Sequence, residues 1–262
     1  GNYNAVTARF YTDLSLLTAD PQITNAASEV FSFLTAYAEH SSYAPLLVAP
    51  LDLAENCKEL IEREAEHAEQ GRPARILAKM NGLLDRSLIA ALYRASQAGV
   101  QIDLIVRGVC ALRPGIRGVS NRIRVRSIVG RFLEHSRIFY FANGGDEEIY
   151  IGSADWMPRN LYERVEVLFP IKDEIIRQRI YQEILGACLA DNVKARLLQR
   201  DGTYVRAWQA EGKRRRPTGM SRFNAQDFLI GVAEGKSLLD NVPETGIRRR
   251  TRSSVAKNGR SS

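Results

Sequence analysis

The sequence of 262 residues predicts an α/β fold, in which helices cover a largely parallel sheet. A short apolar run at residues 74–80 is typical of a buried strand, and a second run follows at residues 100–106. Between them, Asp85 begins an amphipathic helix and Gly99 ends it. A strand, a helix and a strand in this order form a right-handed crossover, so binding groups are expected at the carboxyl ends of the strands.

Further apolar patterns extend this unit on both sides. Three- and four-residue spacing predicts helices, short or alternating apolar runs predict strands, and Asp52 with Glu55 has the spacing of a capping box. In the last helix we expect Ile175, Ile176 and Ile180 to face the core. The predicted helices are residues 24–40, 52–70 and 173–192, and the predicted strands are residues 45–50, 123–129, 134–141, 148–151 and 164–171. Asn143-Gly144-Gly145 predicts the turn of a hairpin in which residues 148–151 return beside residues 134–141.

The net charge of +7 arises in residues 207–262, where 12 Lys and Arg accompany five acids. We predict that this segment is a basic, disordered tail, which either attracts polyanions or is a solvated extension without a specific partner. No apolar run is long enough to cross a membrane and no leader sequence opens the chain, which favours the cytoplasm. Cys57, Cys110 and Cys188 are too scattered for a disulfide framework or a zinc site.

Polar side chains follow the two predicted parallel strands. Lys79, Asn81 and Arg107 fall at the carboxyl ends, where the topology brings them to one edge of the sheet. Arg107 is expected to bind an anion there, and the alternative is an ion pair with a carboxylate such as Asp103.

The three histidines differ in their surroundings. His40 ends a predicted helix and fits a structural role, and His67 lies among glutamates, which indicates a solvated surface. His135 is followed by Arg137 and then by a Gly-Ser-x-Asp turn at residues 152–155 on the neighbouring strand. This pattern resembles the repeated motif of the phospholipase D superfamily, with Arg and Asp where Lys and Asn are usual. In that superfamily two such motifs meet, so that one His attacks phosphorus and the other moves a proton.

The opening of the chain also resembles a stretch in its middle, at an offset of 153 residues. Each copy has an amide or a carboxylate, then an aromatic residue, and later an acid that opens an apolar strand. The match is short, and chance is an alternative explanation. A true repeat predicts two related half-domains, with residue 1 inside the first. The aligned pairs are Asn2-Tyr3 with Asp155-Trp156, Tyr11 with Arg164, Asp13 with Glu166, and Leu14 with Val167.

Longer motifs resemble the bacterial polyphosphate kinase family, and they extend from residue 1 to about residue 206. They are specific because they are numerous and long. The matching runs are GNYN, TAR and YTD in residues 1–13, KMN at 79–81, LIVRG at 104–108, LRPG at 112–115, RVRSI at 124–128, RFLEHSRI at 131–138 and GSADWMPRNL at 152–161.

This resemblance implies part of an ATP:polyphosphate phosphotransferase. Such an enzyme passes the γ-phosphoryl group of ATP reversibly to polyphosphate through a phosphohistidine. By matching motif, Tyr11, Arg107 and His135 would contact the nucleotide, and His135 would serve as the catalytic acid or base. The nucleophilic His and the Mg²⁺-binding arginines are expected upstream of this fragment, and Mg²⁺ is expected with ATP. The basic residues Lys79, Arg131, Arg137, Arg159 and Arg164 would line the route of the polyanion.

The resemblance also implies a domain organisation and partners. Residues 1–44 would end a first phospholipase D-like domain, residues 45–206 would form a second one, a mixed sheet flanked by helices, and residues 207–262 would form the tail. ATP or ADP and inorganic polyphosphate are the expected partners, with assembly into a homo-oligomer and no specific nucleic acid. A location peripheral to the inner membrane is compatible with this. The alternatives are a phospholipase D-like phosphodiesterase or phosphatidyltransferase, and a non-catalytic polyanion-binding module.

Overall fold

The computed structural model describes residues 4–36, 43–209, 218–219, 221–236 and 242–243. The α-helices are α1 (Pro21–Ala36), α2 (Leu53–Glu69), α3 (Arg86–Ala98), α4 (Glu174–Arg179), α5 (Gly186–Ala190) and α6 (Ala225–Ala233). The strands are β1 (Tyr11–Thr12), β2 (Leu47–Ala49), β3 (Arg75–Met80), β4 (Gln101–Val106), β5 (Ile123–Ile128), β6 (Leu133–Glu134), β7 (Arg137–Phe141), β8 (Glu148–Gly152), β9 (Glu166–Pro170), β10 (Ala195–Leu198) and β11 (Tyr204–Arg206).

Nine of these strands form one mixed sheet, in the order β11-β10-β5-β4-β3-β7-β8-β9-β2. The central strands β3, β4 and β5 are parallel, and the strands on both sides of them pair antiparallel. The remaining strands, β1 and β6, form a separate parallel pair. The predicted α/β class with a mixed sheet is therefore confirmed. The expectation of a largely parallel sheet is wrong, because only two of the eight strand pairings in this sheet are parallel.

The unit of β3, α3 and β4 forms for the local reasons that its sequence indicates. The side chain of Asp85 accepts a hydrogen bond from the amide of Leu88 at 2.9 Å, which caps the helix. Gly99 adopts a left-handed conformation with φ of 114° at the helix end. In both strands every residue after the first is buried, as is typical of parallel strands covered on both faces.

Two helical layers enclose the sheet. One face packs against α2 and α3, in a core that contains Trp156 and Phe139. The other face packs against the helical segment of α4 and α5, which a π-helical stretch at Ile180–Leu185 joins. Helix α1 packs beside β2 and β9. Because helices cover both faces of the sheet, we expect ligand-binding side chains at the edge where the parallel strands end.

Some local expectations are wrong. The side chain of Asp52 does not cap α2, because it accepts a hydrogen bond from the amide of Val48 at 2.7 Å. Ile175 and Ile176 are 73% and 39% exposed, whereas Ile180 is buried. They lie in the first turn of the helix, which precedes the part that packs on the sheet, and Asp173 caps that turn. His40, Asn2 and Tyr3 are outside the described residues, so the internal repeat stays a prediction.

The prediction of a disordered tail is wrong for α6. This helix buries Ala225, Gln226 and Phe228, and its apolar side packs against Ala187 of α5. Asn224 caps it by accepting a hydrogen bond from the amide of Gln226. Arg and Ser are abundant in the sequence on both sides of this helix, so composition alone predicts disorder there.

None of the helices in the described part of the chain is long and apolar enough to cross a membrane.

Candidate active site

The short pair of β1 and β6 brings the start of the chain to His135. Tyr11 pairs with Leu133 and Thr12 pairs with Glu134, in parallel register. The amide of His135 then donates a hydrogen bond to the carbonyl of Thr12 at 3.1 Å. This pairing places the residues after β1 beside the residues after β6, although 122 positions separate them along the chain.

The imidazole of His135 is held on both of its nitrogens. Its Nδ1 lies 3.1 Å from Oδ2 of Asp13, and its Nε2 lies 3.0 Å from Nη1 of Arg137. A guanidinium only donates, so Nε2 accepts and the proton is assigned to Nδ1, which donates to Asp13. The ring of Tyr11 stacks on the imidazole, with centroids 4.9 Å apart and planes inclined by 14°. The side chain of His135 remains 29% exposed, so a ligand can reach it.

Arg137 is fixed by the carboxylate of the Gly-Ser-x-Asp turn. Its Nε and Nη2 donate to the two oxygens of Asp155, at 3.3 and 3.1 Å. Asp155 also accepts a hydrogen bond from the amide of Asn81 at 2.6 Å. The predicted hairpin is confirmed, because Arg137 pairs directly with Gly152 across β7 and β8. The position of Gly152 accepts no larger residue, because a Cβ atom there would collide with the carbonyl oxygen of Val167.

Arg107 reaches the same edge from the end of β4. Its Nε donates to Oδ1 of Asn81 at 2.9 Å and to the carbonyl of Glu134 at 2.8 Å. The expected meeting of Asn81 and Arg107 is thus confirmed, and the alternative ion pair with Asp103 is not formed, since Asp103 pairs with Arg75 and Arg124. Within the described residues, Nη1 and Nη2 of Arg107 have no partner, which leaves two donor groups for an anion.

A buried hydrogen-bond and ion-pair network surrounds Glu134 and Ser136, the residues on either side of His135 in the chain. Nζ of Lys79 contacts Oε2 of Glu134 at 3.0 Å and donates to Oγ of Ser136 at 2.7 Å. Lys79 is 2% exposed, so its expected place on the route of a polyanion is wrong. It is the counter-ion of Glu134 because the carboxylate and the ammonium are buried together.

Glu134 also accepts hydrogen bonds from two distant elements. Thr12 of β1 donates to it at 3.2 Å, and Gln226 of α6 donates to it at 2.6 Å. Burial raises the pKa of Glu134, but the charge of Lys79 and these hydrogen bonds outweigh burial and hold the pKa below its ordinary value. Gln226 also bonds both backbone groups of Phe132, at 3.0 and 2.9 Å. Helix α6 therefore fixes the segment that carries His135.

The other basic residues expected along the polyanion route are exposed. Arg131 lies over the ring of Phe132, 5.2 Å from its centroid, and Arg159 and Arg164 lie at the surface. His67 is 7% exposed and its Nε2 lies 3.2 Å from Oδ1 of Asn143, so the expected solvated position is wrong. It packs against the turn after β7 and takes no part in the candidate site.

Comparisons with known proteins agree with this arrangement. The family model for polyphosphate kinase C-terminal domain 2 matches residues 46–217, and the model for polyphosphate kinase C-terminal domain 1 matches residues 1–40. The chain belongs to the polyphosphate kinase family. The model for domain 2 covers His135, Arg107 and the buried network below them, whereas Tyr11 and Asp13 lie in the part that the model for domain 1 covers.

Individual polyphosphate kinases give the same result. The polyphosphate kinase of Synechocystis sp. is 58% identical over 205 residues, which are 78% of this chain and 28% of that protein. That of Thermosynechococcus vestitus is 55% identical over 218 residues, 83% of this chain and 30% of that protein. The crystal structure of polyphosphate kinase from Porphyromonas gingivalis has 41% identity and a TM-score of 0.82, and it covers 90% of this chain and 35% of that one. The chain thus spans about three tenths of the length of these curated relatives.

Sequence reasoning selected Tyr11, Arg107 and His135, and the structure brings all three to one edge. Neither Asp13 as the partner of His135 nor Gln226 as an anchor is predicted from the sequence. Asp13 belongs to the predicted internal repeat, and no local signal links it to His135.

The side chains in the described ranges contain no group of three or more His, Cys, Asp or Glu that could hold a metal ion. The groups beside His135 are mainly guanidinium groups, whereas Mg²⁺ prefers oxygen ligands. These residues therefore do not fit a Mg²⁺ centre.

Proposed function

We propose that the chain is part of a polyphosphate kinase that transfers the γ-phosphoryl group of ATP reversibly to inorganic polyphosphate. The observation that carries this proposal is the geometry of His135, whose ring is oriented by Asp13 and stacked by Tyr11 beside the guanidinium groups of Arg107 and Arg137. Family membership supplies the substrate class, and the site supplies the chemical groups that phosphoryl transfer requires.

His135 is the proposed acid–base group. When Nε2 takes up a proton, the carboxylate of Asp13 stabilises the imidazolium and keeps the ring oriented. Nε2 then donates that proton to a phosphate oxygen, which restores the neutral ring, and in the reverse reaction Nε2 takes the proton back. An anionic phosphate attracts Arg137, which now donates to Nε2 at 3.0 Å, so that ligand binding frees this nitrogen.

Arg107 is the proposed phosphate-binding group. Its Nε is occupied by Asn81 and by the carbonyl of Glu134, which fixes the plane of the guanidinium. The two Nη groups then offer a paired set of donors, the geometry that favours arginine in phosphate recognition. Tyr11, which covers one face of His135, would lie beside the nucleotide and limit the approach of water.

The remaining parts of the proposal rest on the family resemblance. The nucleophilic His would lie outside this chain, and Mg²⁺ would enter with ATP, bound by residues outside this chain. Assembly into a homo-oligomer and action in the cytoplasm remain predictions.

Replacement of His135 by Gln tests the proposal in the full-length gene product that carries this chain. We expect ATP formation from ADP and polyphosphate to lose a factor of about 10² to 10⁴ in kcat, the usual contribution of an acid–base group, with a smaller change in nucleotide affinity. His67→Gln is the matched control, since His67 is far from the site, and it should retain wild-type turnover. Wild-type turnover in His135→Gln would refute the proposed role. Hydrolysis of a model phosphodiester that requires His135 would instead favour the phospholipase D-like alternative.

A further inference from the structure

A cleft of about 420 Å³ opens beside Arg107, on the side away from His135 and toward the sheet edge formed by β10 and β11. Its polar lining residues are Arg107, Ser127, Lys194, Arg196, Tyr204 and Arg206. Neither the sequence motifs nor the proposed function assigns a role to the last four of them.

The cleft is strongly cationic, and the described part of the chain does not compensate its charges. Four of its lining residues are Lys or Arg, and none is Asp or Glu. Among the residues that the structure describes, Lys194, Arg196 and Arg206 form no ion pair, whereas other arginines of this sheet do, such as Arg124 with Asp103. Cationic side chains left together in this way attract an anionic ligand.

Two of these cations oppose each other directly. Arg196 and Arg206 are partners in the antiparallel register of β10 and β11, and Arg196 is the partner of Ser127 on β5. Like charges at directly opposed positions destabilise a sheet. With strands about 4.8 Å apart, Arg206, Arg196 and Ser127 form a row about 10 Å long on one face. A row of this kind suits an extended chain of negative charges better than a single compact anion.

The row continues into the candidate active site. Oγ of Ser127 donates to the carbonyl of Arg107 at 3.2 Å, so the end of the row touches the residue that carries the two unpartnered Nη groups. Arg107 contacts the carbonyl of Glu134, the residue immediately before His135. An extended polyanion with its reacting end at His135 can therefore pass Arg107 and enter the cleft.

We propose that this cleft is a binding subsite for the distal phosphate groups of a linear inorganic polyphosphate, with Lys194, Arg196 and Arg206 as its binding residues. The inference rests on the proposed function and deepens it. Contacts so far from the reacting end bind substrate and transition state equally, so they lower KM for long chains and leave kcat unchanged.

The double variant Arg196→Gln/Arg206→Gln tests this in the full-length gene product. Two charge-assisted contacts are lost, so KM for long-chain polyphosphate should rise about tenfold or more. Its kcat and its KM for ADP should change less than about twofold, and so should its KM for tripolyphosphate, whose three phosphate groups would be taken up at His135 and Arg107. The salt dependence of KM for long chains should become weaker, since fewer cations contact the polyanion.

Two further variants separate specific binding from general attraction. Arg117→Gln/Arg122→Gln removes the same charge from the loop before β5, at the opposite end of that strand, and should leave every KM unchanged. Removal of residues 237–262, which follow α6 and contain six Lys or Arg, should also preserve the preference for long chains. The unliganded Arg196→Gln variant should unfold at an equal or higher temperature than the wild type at low salt, because a like-charge pair is removed.

Several results would overturn the subsite. These are an equal rise of KM for tripolyphosphate, an equal effect of the loop variant, loss of the long-chain preference on removal of residues 237–262, or tighter binding of a single-stranded oligonucleotide than of polyphosphate. The proposed function can fail separately: full turnover in His135→Gln with selective loss of long-chain binding in the cleft variant would leave the subsite standing.

Discussion

Replacement of Lys79 by Met tests whether the buried ion pair of Lys79 and Glu134 stabilises the segment that carries His135. Lys79 and Glu134 are 2% and 6% exposed, so little solvent is available to screen the carboxylate once its partner is gone. Met has similar length and no charge, and it leaves Ser136 without the donor that now lies 2.7 Å from its Oγ. The variant therefore removes one charge without opening a large cavity.

The expected loss of stability is large. Breaking a buried ion pair by removing one partner costs about 3–5 kcal/mol, because the remaining charge stays buried. Thr12 and Gln226 still donate to Glu134, so we expect a value near the lower end, about 3 kcal/mol at pH 7. In the double variant Lys79→Met/Glu134→Gln neither position carries a charge, and most of this loss should be recovered.

The pH dependence gives the sharper test, because its sign is predicted to invert. In the wild type the pKa of Glu134 lies below its ordinary value, so the stability from this group is complete at neutral pH and is lost as pH falls through that low pKa. In Lys79→Met the opposing charge is absent and burial dominates, so the pKa of Glu134 should rise above its ordinary value. The folded variant then binds a proton more readily than the unfolded chain, and its stability falls as pH rises through the raised pKa.

Urea unfolding of this chain and its variants at pH 5 and pH 7 measures the effect. The destabilisation by Lys79→Met should be smaller at pH 5 than at pH 7, by about 1.4 kcal/mol for each unit by which the pKa of Glu134 has risen within that interval. Lys58→Met, at an exposed ion pair with Glu55, is the control and should cost less than about 1 kcal/mol at both pH values. A loss below about 1 kcal/mol for Lys79→Met, or one of the same size at both pH values, would show that the pair is not a tightly buried support.

Two other variants address the groups that position His135. Asp13→Asn retains a hydrogen-bond acceptor for Nδ1 but removes the charge that stabilises the imidazolium, so kcat should fall at least about tenfold with little change in KM for ADP. Steady-state kinetics of the full-length gene product would show this. An unchanged kcat would remove Asp13 from the mechanism. Gln226→Leu leaves the backbone groups of Phe132 and one oxygen of Glu134 without a hydrogen-bond partner. The free energy of unfolding in urea should therefore fall by about 1–3 kcal/mol, and kcat should fall more than KM rises. Asp227→Asn, at an exposed position of the same helix, is the control and should change neither stability nor kinetics.

The central unit was predictable because its signals are local. A buried apolar run, an Asp cap, an amphipathic helix and a terminal Gly lie within about thirty residues, and each acts on its own neighbours in the chain. The parallel topology then brings Asn81 and Arg107 together without further information. The hairpin that joins Arg137 to Gly152 follows in the same way from two strands and a glycine-rich turn.

Other features depend on contacts that no local pattern records. The pairing of β1 with β6 spans more than a hundred residues and involves only two residues on each strand, so the meeting of Asp13 and His135 has no periodic signal. The ammonium of Lys79 points into the protein only because Glu134 is buried beside it. A lysine at the end of a strand has the same appearance in sequence whether it binds a ligand or an internal carboxylate.

Helix α6 changes how the basic carboxy-terminal segment has to be tested. A deletion from residue 207 onward removes the basic residues and Gln226 together, so a loss of polyanion binding would have two causes that the experiment cannot separate. Because Gln226 holds Phe132 and Glu134, that deletion also releases the segment that carries His135. A deletion that begins after residue 236 keeps α6 and removes only residues beyond it. Electrostatic attraction by the end of the chain and binding at the sheet edge can therefore be distinguished only when the helix is retained.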